Sequence, residues 1–147
     1  MKREKYLDCE QKLVAMLSDE QDDIVKMATV VAVLHKKFDY FYWTGFYRNL
    51  NDELVVGPYQ GTPACMRIAM GRGVCGTAAL TRQTQVVENV EEFHGHIACD
   101  AASVSEIVVP VLSGQELIAV LDVDSTLEGS FDAVDAENLE RILSKLF

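Results

Sequence analysis

Two neighbouring strand-forming segments constrain the fold of this chain most strongly. Residues 103–112 and 116–124 are both rich in β-branched side chains, and a short connection containing Ser113 and Gly114 separates them. Two such segments around a glycine-containing turn are typical of an antiparallel β-hairpin. We therefore expect this hairpin to form the centre of a β-sheet.

The rest of the chain predicts a single α+β domain over residues 1–147, since this length suits one compact domain. Hydrophobic spacing predicts helices near 6–17, 19–37 and 74–82, and a last helix that begins at Asp132 or at Val134-Asp135. Residues 18–21 have the pattern of a capping box, which places the start of the second helix there. Further strands are expected at 39–47, 53–59, 65–69 and 84–88. Together they predict a mostly antiparallel sheet of about six strands with the N- and C-terminal helices packed on it.

Composition and charge exclude several classes of function. The formal net charge is −10, whereas nucleic-acid affinity depends on clustered Lys and Arg side chains. No apolar run approaches the ~20 residues of a membrane-spanning helix. The basic residues at the start of the chain are not followed by the apolar segment of a secretory signal. We expect no nucleic-acid or membrane partner, and a reducing cytoplasm in which any disulfide is transient.

Three of the four cysteines lie near predicted loops and are candidates for thiol chemistry. Cys65 and Cys75 lie beside short loops, and Cys99 lies in a long irregular segment, residues 89–102. A positive charge or a helix N-terminus lowers the pKa of a thiol. His96 or Arg72 could supply that charge, and Cys75 could lie in the first turn of its helix. The alternative is that each cysteine is a small buried hydrophobic residue.

A zinc site is the rival interpretation of the same segments, because histidines and cysteines both occur there. Structural zinc sites usually present paired ligands two to four residues apart, and this chain has no such cysteine pair. We therefore predict no metal. The residues that could have served as zinc ligands are His94, His96, Cys65, Cys75 and Cys99.

Two aspartates in the last predicted strand are candidates for contact with a polar ligand. The period of two along a strand places Asp122 and Asp124 on one face, with Leu121 and Val123 on the other. Two like charges this close raise a carboxyl pKa and cost stability unless a cation or polar ligand meets them. Such acids could bind an ammonium group or donate a proton. The alternative is that the strand ends there and both acids lie in water.

Three other side chains suggest a pocket on the same sheet. Glu106 interrupts a run that otherwise has the character of a buried strand, so it faces either a polar pocket or a solvated edge. Trp43 and Tyr47 share one face of an aromatic strand, where their rings could pack against a methyl group or a thioether. The alternative for this pair is an ordinary place in the core.

Four segments together closely resemble the free methionine-R-sulfoxide reductases, which are GAF-domain proteins. The resemblance covers nearly the whole chain, and Cys65, Cys75 and Cys99 fall where the three cysteines of that family fall. The chain departs from the family pattern at His94, where a proline is usual, and at Thr62, where a lysine is common. The segments that carry the resemblance are GRGVCGT (71–77), GHIACD (95–100), SEIVVP (105–110) and VLDVDS (120–125).

The resemblance implies a catalytic role for Cys99, a resolving role for Cys65 and an auxiliary role for Cys75. It also implies a substrate pocket lined by Glu106, Asp122 and Asp124, with Trp43 and Tyr47 sheltering the S-methyl group of the substrate. The implied activity is reduction of free methionine-R-sulfoxide by a homodimer that thioredoxin regenerates, without a cofactor. A GAF sensor that binds a small molecule without converting it is the alternative class of function.

Overall fold

Six antiparallel strands form one sheet at the centre of the protein, in the order β3-β2-β1-β6-β5-β4. The computed structural model covers residues 1–147. The strands are β1 (Trp43–Leu50), β2 (Glu53–Gln60), β3 (Arg67–Ala69), β4 (Gln85–Val87), β5 (Ser105–Ser113) and β6 (Glu116–Ser125). The helices are α1 (Lys2–Leu17), α2 (Asp23–Lys37), α3 (Gly73–Thr81) and α4 (Ala133–Leu146), and a short 3-10 helix spans Val90–Glu92.

The predicted central hairpin is confirmed as β5 and β6. Gly114 has a φ of +63°, which suits the tight turn between these two strands. β6 pairs with β5 on one side and with β1 on the other, so it lies in the interior of the sheet. An interior strand is covered on both faces, which explains its continuous apolar character.

Helices cover the two faces of the sheet unequally. α1, α2 and α4 pack on one face, around a core that includes Phe46, Leu121 and Val123. α3 and the loops that follow β2 and β4 cover the other face, around a smaller core. This α+β arrangement confirms the predicted fold class. No helix combines the length and the apolar character needed to cross a membrane.

Several predicted element boundaries are wrong: α1 begins at Lys2 rather than near residue 6, and β3 begins at Arg67 rather than at Cys65, which lies in the preceding loop. α2 begins at Asp23, because the side chain of Asp22 accepts hydrogen bonds from the backbone N–H groups of Ile24 and Val25 at 2.8 and 3.2 Å. Ser18, the predicted cap of this helix, instead ends α1. The aromatic segment before Trp43 is not part of β1, since Phe41 is buried against helix residues rather than paired in the sheet.

Two buried carboxylates, Glu10 and Asp135, join the terminal helices, and Asp135 is the more deeply buried. Asp132 and Asp135 form a capping box at the start of α4, which confirms the predicted start. Asp135 is fully buried and accepts hydrogen bonds from the hydroxyl groups of Tyr6 and Tyr40 at 2.6 and 2.7 Å, and from Lys2 Nζ at 2.7 Å. The first and last helices are therefore fixed to each other, and the opposite face of the sheet is left for the cavity described next.

Candidate functional site

A small cavity of about 50 Å³ lies between the sheet and the segments that contain α3 and the long loop. The sequence predicts eight site residues, and seven of them line this cavity: Trp43, Tyr47, Cys75, Cys99, Glu106, Asp122 and Asp124. The eighth, Cys65, lies beside the cavity and is bonded to Cys99. The fold therefore brings together residues from β1, α3, the long loop, β5 and β6.

Sheet register places the three acids side by side on the cavity face. Asp124 of β6 is paired with Trp43 of β1 on one side and with Glu106 of β5 on the other. Asp122 lies one row along the same strand, paired with Gly45. Asp122 and Glu106 are only 5% and 6% exposed, so the alternative of solvated acids at a strand end or sheet edge is wrong for them.

Burial and mutual repulsion favour the protonated form of these acids. Burial, followed by the charge of Asp124, raises the pKa of Asp122 to about 8. The pKa values of Glu106 and Asp124 are raised well above their usual range, first by burial and then by the charge of a neighbouring acid. Asp122 Oδ1 is buried without a hydrogen-bond partner. The cavity therefore offers protons from these acids and one unpaired acceptor oxygen to a ligand.

Cys75 lies in the first turn of α3, as predicted, but its environment is opposite to the one expected. The residue is buried, and its Sγ atom lies 3.9 Å from Glu106 Oε2. Burial and then the charges of Asp122 and Glu106 raise the pKa of the Cys75 thiol well above its usual value. Cys75 is therefore held as a neutral thiol and is not an activated nucleophile.

His96 also differs from the expectation that it would supply a positive charge. It is half-buried in the long loop, and its Nε2 atom lies 4.0 Å from Glu106 Oε1. Burial lowers its pKa, so the imidazole is neutral at pH 7. The other candidate, Arg72, lines the cavity as the N-cap of α3. Arg72 is exposed and remains the candidate for a positive charge at the edge of this cavity.

Cys65 and Cys99 form a disulfide across the cavity mouth, with their Cα atoms 5.4 Å apart. Cys99 is exposed and Cys65 is half-buried. Both are thus engaged with each other in this state rather than available as metal ligands. The donor atoms that come close enough to share a divalent cation belong to Cys75, Glu106 and Asp122, which lie within 4.8 Å of one another.

An aromatic wall closes the cavity on the β1 side. The rings of Trp43 and Tyr47 are stacked with their centroids 6.0 Å apart. Trp43 Nε1 donates a hydrogen bond to Thr62 O at 2.9 Å, and the Tyr47 hydroxyl donates to Cys65 O at 3.0 Å. Gly45 between them leaves the necessary room, since a Cβ atom there would lie 2.5 Å from the Trp43 ring. The two rings are therefore fixed to the loop that carries Cys65.

Sequence reasoning missed the group that connects the loops of the two bonded cysteines. The Asp100 carboxylate accepts hydrogen bonds from the Tyr42 hydroxyl at 2.8 Å and from Thr62 Oγ1 at 2.6 Å. These three residues are far apart in sequence, and nothing in their spacing indicates a contact. The only sequence signal was the position of Asp100 directly after Cys99.

Comparison with known proteins identifies the family. The GAF domain model matches residues 14–146. The free methionine-R-sulfoxide reductase of Escherichia coli is 43% identical over 145 residues, which cover 99% of this chain and 88% of that protein.

Two solved structures have the same fold over nearly the whole chain. The free methionine-R-sulfoxide reductase of Neisseria meningitidis, solved in complex with its substrate, has a TM-score of 0.94 and 41% identity, over 99% of this chain and 88% of that one. A Burkholderia vietnamiensis protein, named as a candidate GAF sensor, has a TM-score of 0.95 and 48% identity, over 99% and 93% of the two chains. With its cysteines, buried acids and aromatic wall in one cavity, the chain belongs to the GAF-domain family of free methionine-R-sulfoxide reductases.

Proposed function

We propose that this protein reduces free L-methionine-(R)-S-oxide to L-methionine through a cycle of cysteine oxidation. The observation that carries this proposal is a disulfide between Cys65 and Cys99 at the mouth of a cavity lined by protonated acids and aromatic rings. Cys99 is the proposed nucleophile and Cys65 the proposed resolving thiol. The buried neutral thiol of Cys75 is assigned an auxiliary role.

The cavity walls support one orientation of the sulfoxide group. The S-methyl group packs against Trp43 and Tyr47, whose rings are the largest apolar surfaces in the cavity. Asp124 and Glu106 continue the row that starts at Trp43, so the sulfoxide oxygen lies beside these two acids. Since burial and mutual repulsion favour the protonated form of both acids, they can donate hydrogen bonds to this oxygen and supply the proton that it takes up.

The charged ends of a free amino acid also have partners in this cavity. The start of α3 has no side-chain cap, and its first N–H groups lie at the cavity beside Arg72. A carboxylate bound there is stabilised by the helix dipole and by the guanidinium. Asp122 Oδ1 is an unpaired acceptor for the ammonium group. A methionine sulfoxide within a polypeptide lacks both charges and leaves these groups unpaired.

The volume of the cavity supports substrate binding to the reduced protein rather than to the disulfide form. About 50 Å³ holds a few water molecules and is too small for an amino acid of this size. We therefore infer that the cavity widens in the reduced protein, where the loop that carries Cys99 is no longer bonded to Cys65. The disulfide form is the state that follows release of methionine.

The proposed reaction cycle needs neither a metal nor an organic cofactor. The Cys99 thiolate attacks the sulfoxide sulfur while an acid protonates the sulfoxide oxygen. The S–O bond of the substrate breaks, the oxygen becomes bonded to the Cys99 sulfur as a sulfenic acid, and methionine leaves. The Cys65 thiol then displaces the oxygen as water, which forms the S–S bond. A thioredoxin-type dithiol reduces this bond by exchange, and the exposure of Cys99 supports access for such a partner in the cytoplasm.

A substrate assay tests the proposed activity. We expect the reduced protein to convert the free R epimer to methionine, and to act on the S epimer and on the N-acetylated R epimer at least tenfold more slowly in kcat/KM. Methionine is measured by chromatography, with thioredoxin, thioredoxin reductase and NADPH as the reducing system. Binding of the free R epimer without methionine formation would favour a GAF sensor instead.

We also propose that the protein is a homodimer, because α1 and α2 expose several large apolar side chains. Groups of this kind on neighbouring helices are typical of a surface that a partner covers. Size-exclusion chromatography with light scattering is expected to give twice the mass of 16.4 kDa. A monomer at micromolar concentration would contradict this expectation. The side chains concerned are Leu7, Val14, Met16, Ile24 and Val25.

A further inference from the structure

Asp100 connects three segments of the chain through a single carboxylate. Its Oδ2 atom accepts hydrogen bonds from the hydroxyl groups of Tyr42, just before β1, and Thr62, in the loop between β2 and β3. Its Oδ1 atom accepts one from the N–H of Ala102 at 2.8 Å. These hydrogen bonds lower the pKa of Asp100, with the one from Thr62 contributing most, so the carboxylate is ionised at neutral pH. Hydrogen bonds to an ionised acceptor are stronger than those between neutral groups.

The long loop has few other attachments near Cys99. Across residues 94–102, the hydrogen bonds to other segments of the chain all end on the Asp100 carboxylate. The loop is also held by the disulfide between Cys99 and Cys65, by the approach of His96 to Glu106, and by Ile97, which packs against the smaller core. When the disulfide is reduced, Asp100 holds its neighbour Cys99 close to the loop that contains Thr62 and Cys65.

We propose that Asp100 is a positioning residue for the disulfide-forming step, acting through its hydrogen bonds to Thr62 and Tyr42. The proposal rests on the cysteine cycle proposed above. In this step the Cys65 sulfur attacks the sulfur of the Cys99 sulfenic acid, the S–S bond forms, the S–O bond breaks, and the hydroxyl leaves as water with the Cys65 proton. The reaction needs both sulfur atoms in contact, and restricting the loop raises their effective concentration.

The arrangement predicts which step depends on Asp100. Attack of Cys99 on the substrate requires the loop to admit an amino acid, and it does not require Cys65. Condensation with Cys65 requires the loop to return to the geometry that the Asp100 hydrogen bonds define. Loss of these hydrogen bonds should therefore slow disulfide formation and spare methionine formation.

Single-turnover kinetics on the full-length protein separates the two steps. The reduced protein is mixed with one equivalent of free methionine-R-sulfoxide, and quenched samples are analysed for methionine, for sulfenic acid trapped by dimedone and for the Cys65–Cys99 disulfide. For Asp100→Ala we expect disulfide formation about tenfold slower than wild type, with accumulated sulfenic acid, and methionine formation within about twofold.

Two substitutions at Thr62 provide a matched pair. Thr62→Ser retains the hydroxyl that donates to Asp100 and should form the disulfide at the wild-type rate. Thr62→Val has the same shape without the donor and should be about threefold slower, as should Tyr42→Phe. The ratio of disulfide rate to methionine rate is the readout, since a general disturbance of the fold would lower both.

Two results would overturn the positioning role. One is an unchanged rate of disulfide formation in folded Asp100→Ala. The other is an equal loss of both rates in Asp100→Ala and Thr62→Val. Failure of the wild-type protein to form methionine is a separate result, which would contradict the proposed function itself.

Discussion

Replacement of Cys99 by serine is expected to lower steady-state formation of methionine at least ~10³-fold, because Cys99 is the thiol proposed to attack the substrate, whereas Cys65 is proposed to attack only the Cys99 sulfenic acid. A hydroxyl group at this position is a far weaker nucleophile than a thiolate and cannot form the sulfenic acid. Cys75 lines the same cavity but is buried, with a thiol pKa raised by burial and by neighbouring acids, so it cannot take over the reaction. Turnover is measured with free methionine-R-sulfoxide under thioredoxin recycling.

Two control variants separate loss of the nucleophile from general damage. Cys65→Ser should still release about one equivalent of methionine in a single turnover, while its thioredoxin-dependent steady state is lost. Cys9→Ser changes a buried thiol of α1 on the opposite face of the sheet and should retain turnover within about twofold. Activity of Cys99→Ser within tenfold of wild type would contradict the assignment of Cys99 as the nucleophile.

The central sheet and the cavity acids were predictable from local pattern. Alternation along β6 placed Asp122 and Asp124 opposite Leu121 and Val123, and the structure confirms that the two pairs face the cavity and the larger core respectively. The prediction of these two faces is correct because the alternation of side chains along a strand is fixed by its backbone and does not depend on what packs against it. Glu106 was recognisable for the same reason, as an acid within an apolar strand.

The electrostatic states of Cys75 and His96 were not predictable, because they depend on contacts between distant segments. The first turn of a helix predicts a lowered pKa for Cys75, and only the fold reveals that Glu106 and Asp122 surround this thiol. The contact between Thr62 and Asp100 spans 38 residues and joins two irregular loops. Loops lack the periodicity that reports on burial, so sequence could indicate that the segment was functional but not which side chains meet there.

Replacement of Glu106 by glutamine is expected to lower kcat about 10²-fold or more, since a positioned general acid contributes at least this much to a proton-dependent bond cleavage. Glutamine preserves the shape of the side chain and a donor group, but it cannot release a proton to the sulfoxide oxygen. The R-epimer assay measures this loss. Glu92→Gln, which removes one negative charge from an exposed position, is the matched control and should retain wild-type activity.

The same substitution is expected to stabilise the fold, and the pH dependence identifies the cause. The pKa of Glu106 is raised in the folded protein, so below its unfolded value, near 4.3, the group is neutral in both states and has no effect on stability. As the pH rises toward the folded pKa, the unfolded chain ionises while the buried group resists, and the wild-type protein loses stability. Glu106→Gln avoids this loss, so its free energy of unfolding should exceed that of wild type by about 1–3 kcal/mol at pH 8 and by little at pH 4.

Thermal and urea unfolding between pH 4 and pH 9 test this sign directly. If the free energy of unfolding of Glu106→Gln exceeds that of wild type by an amount that grows with pH, and turnover is lost, then the protonated acids that serve catalysis lower the stability of the wild-type fold. A variant that is less stable than wild type at every pH would mean instead that the Glu106 carboxyl contributes to the fold through its contacts with Cys75 and His96. The two results have opposite signs at pH 8, where the acids are ionised in the unfolded chain while burial opposes their ionisation in the folded protein.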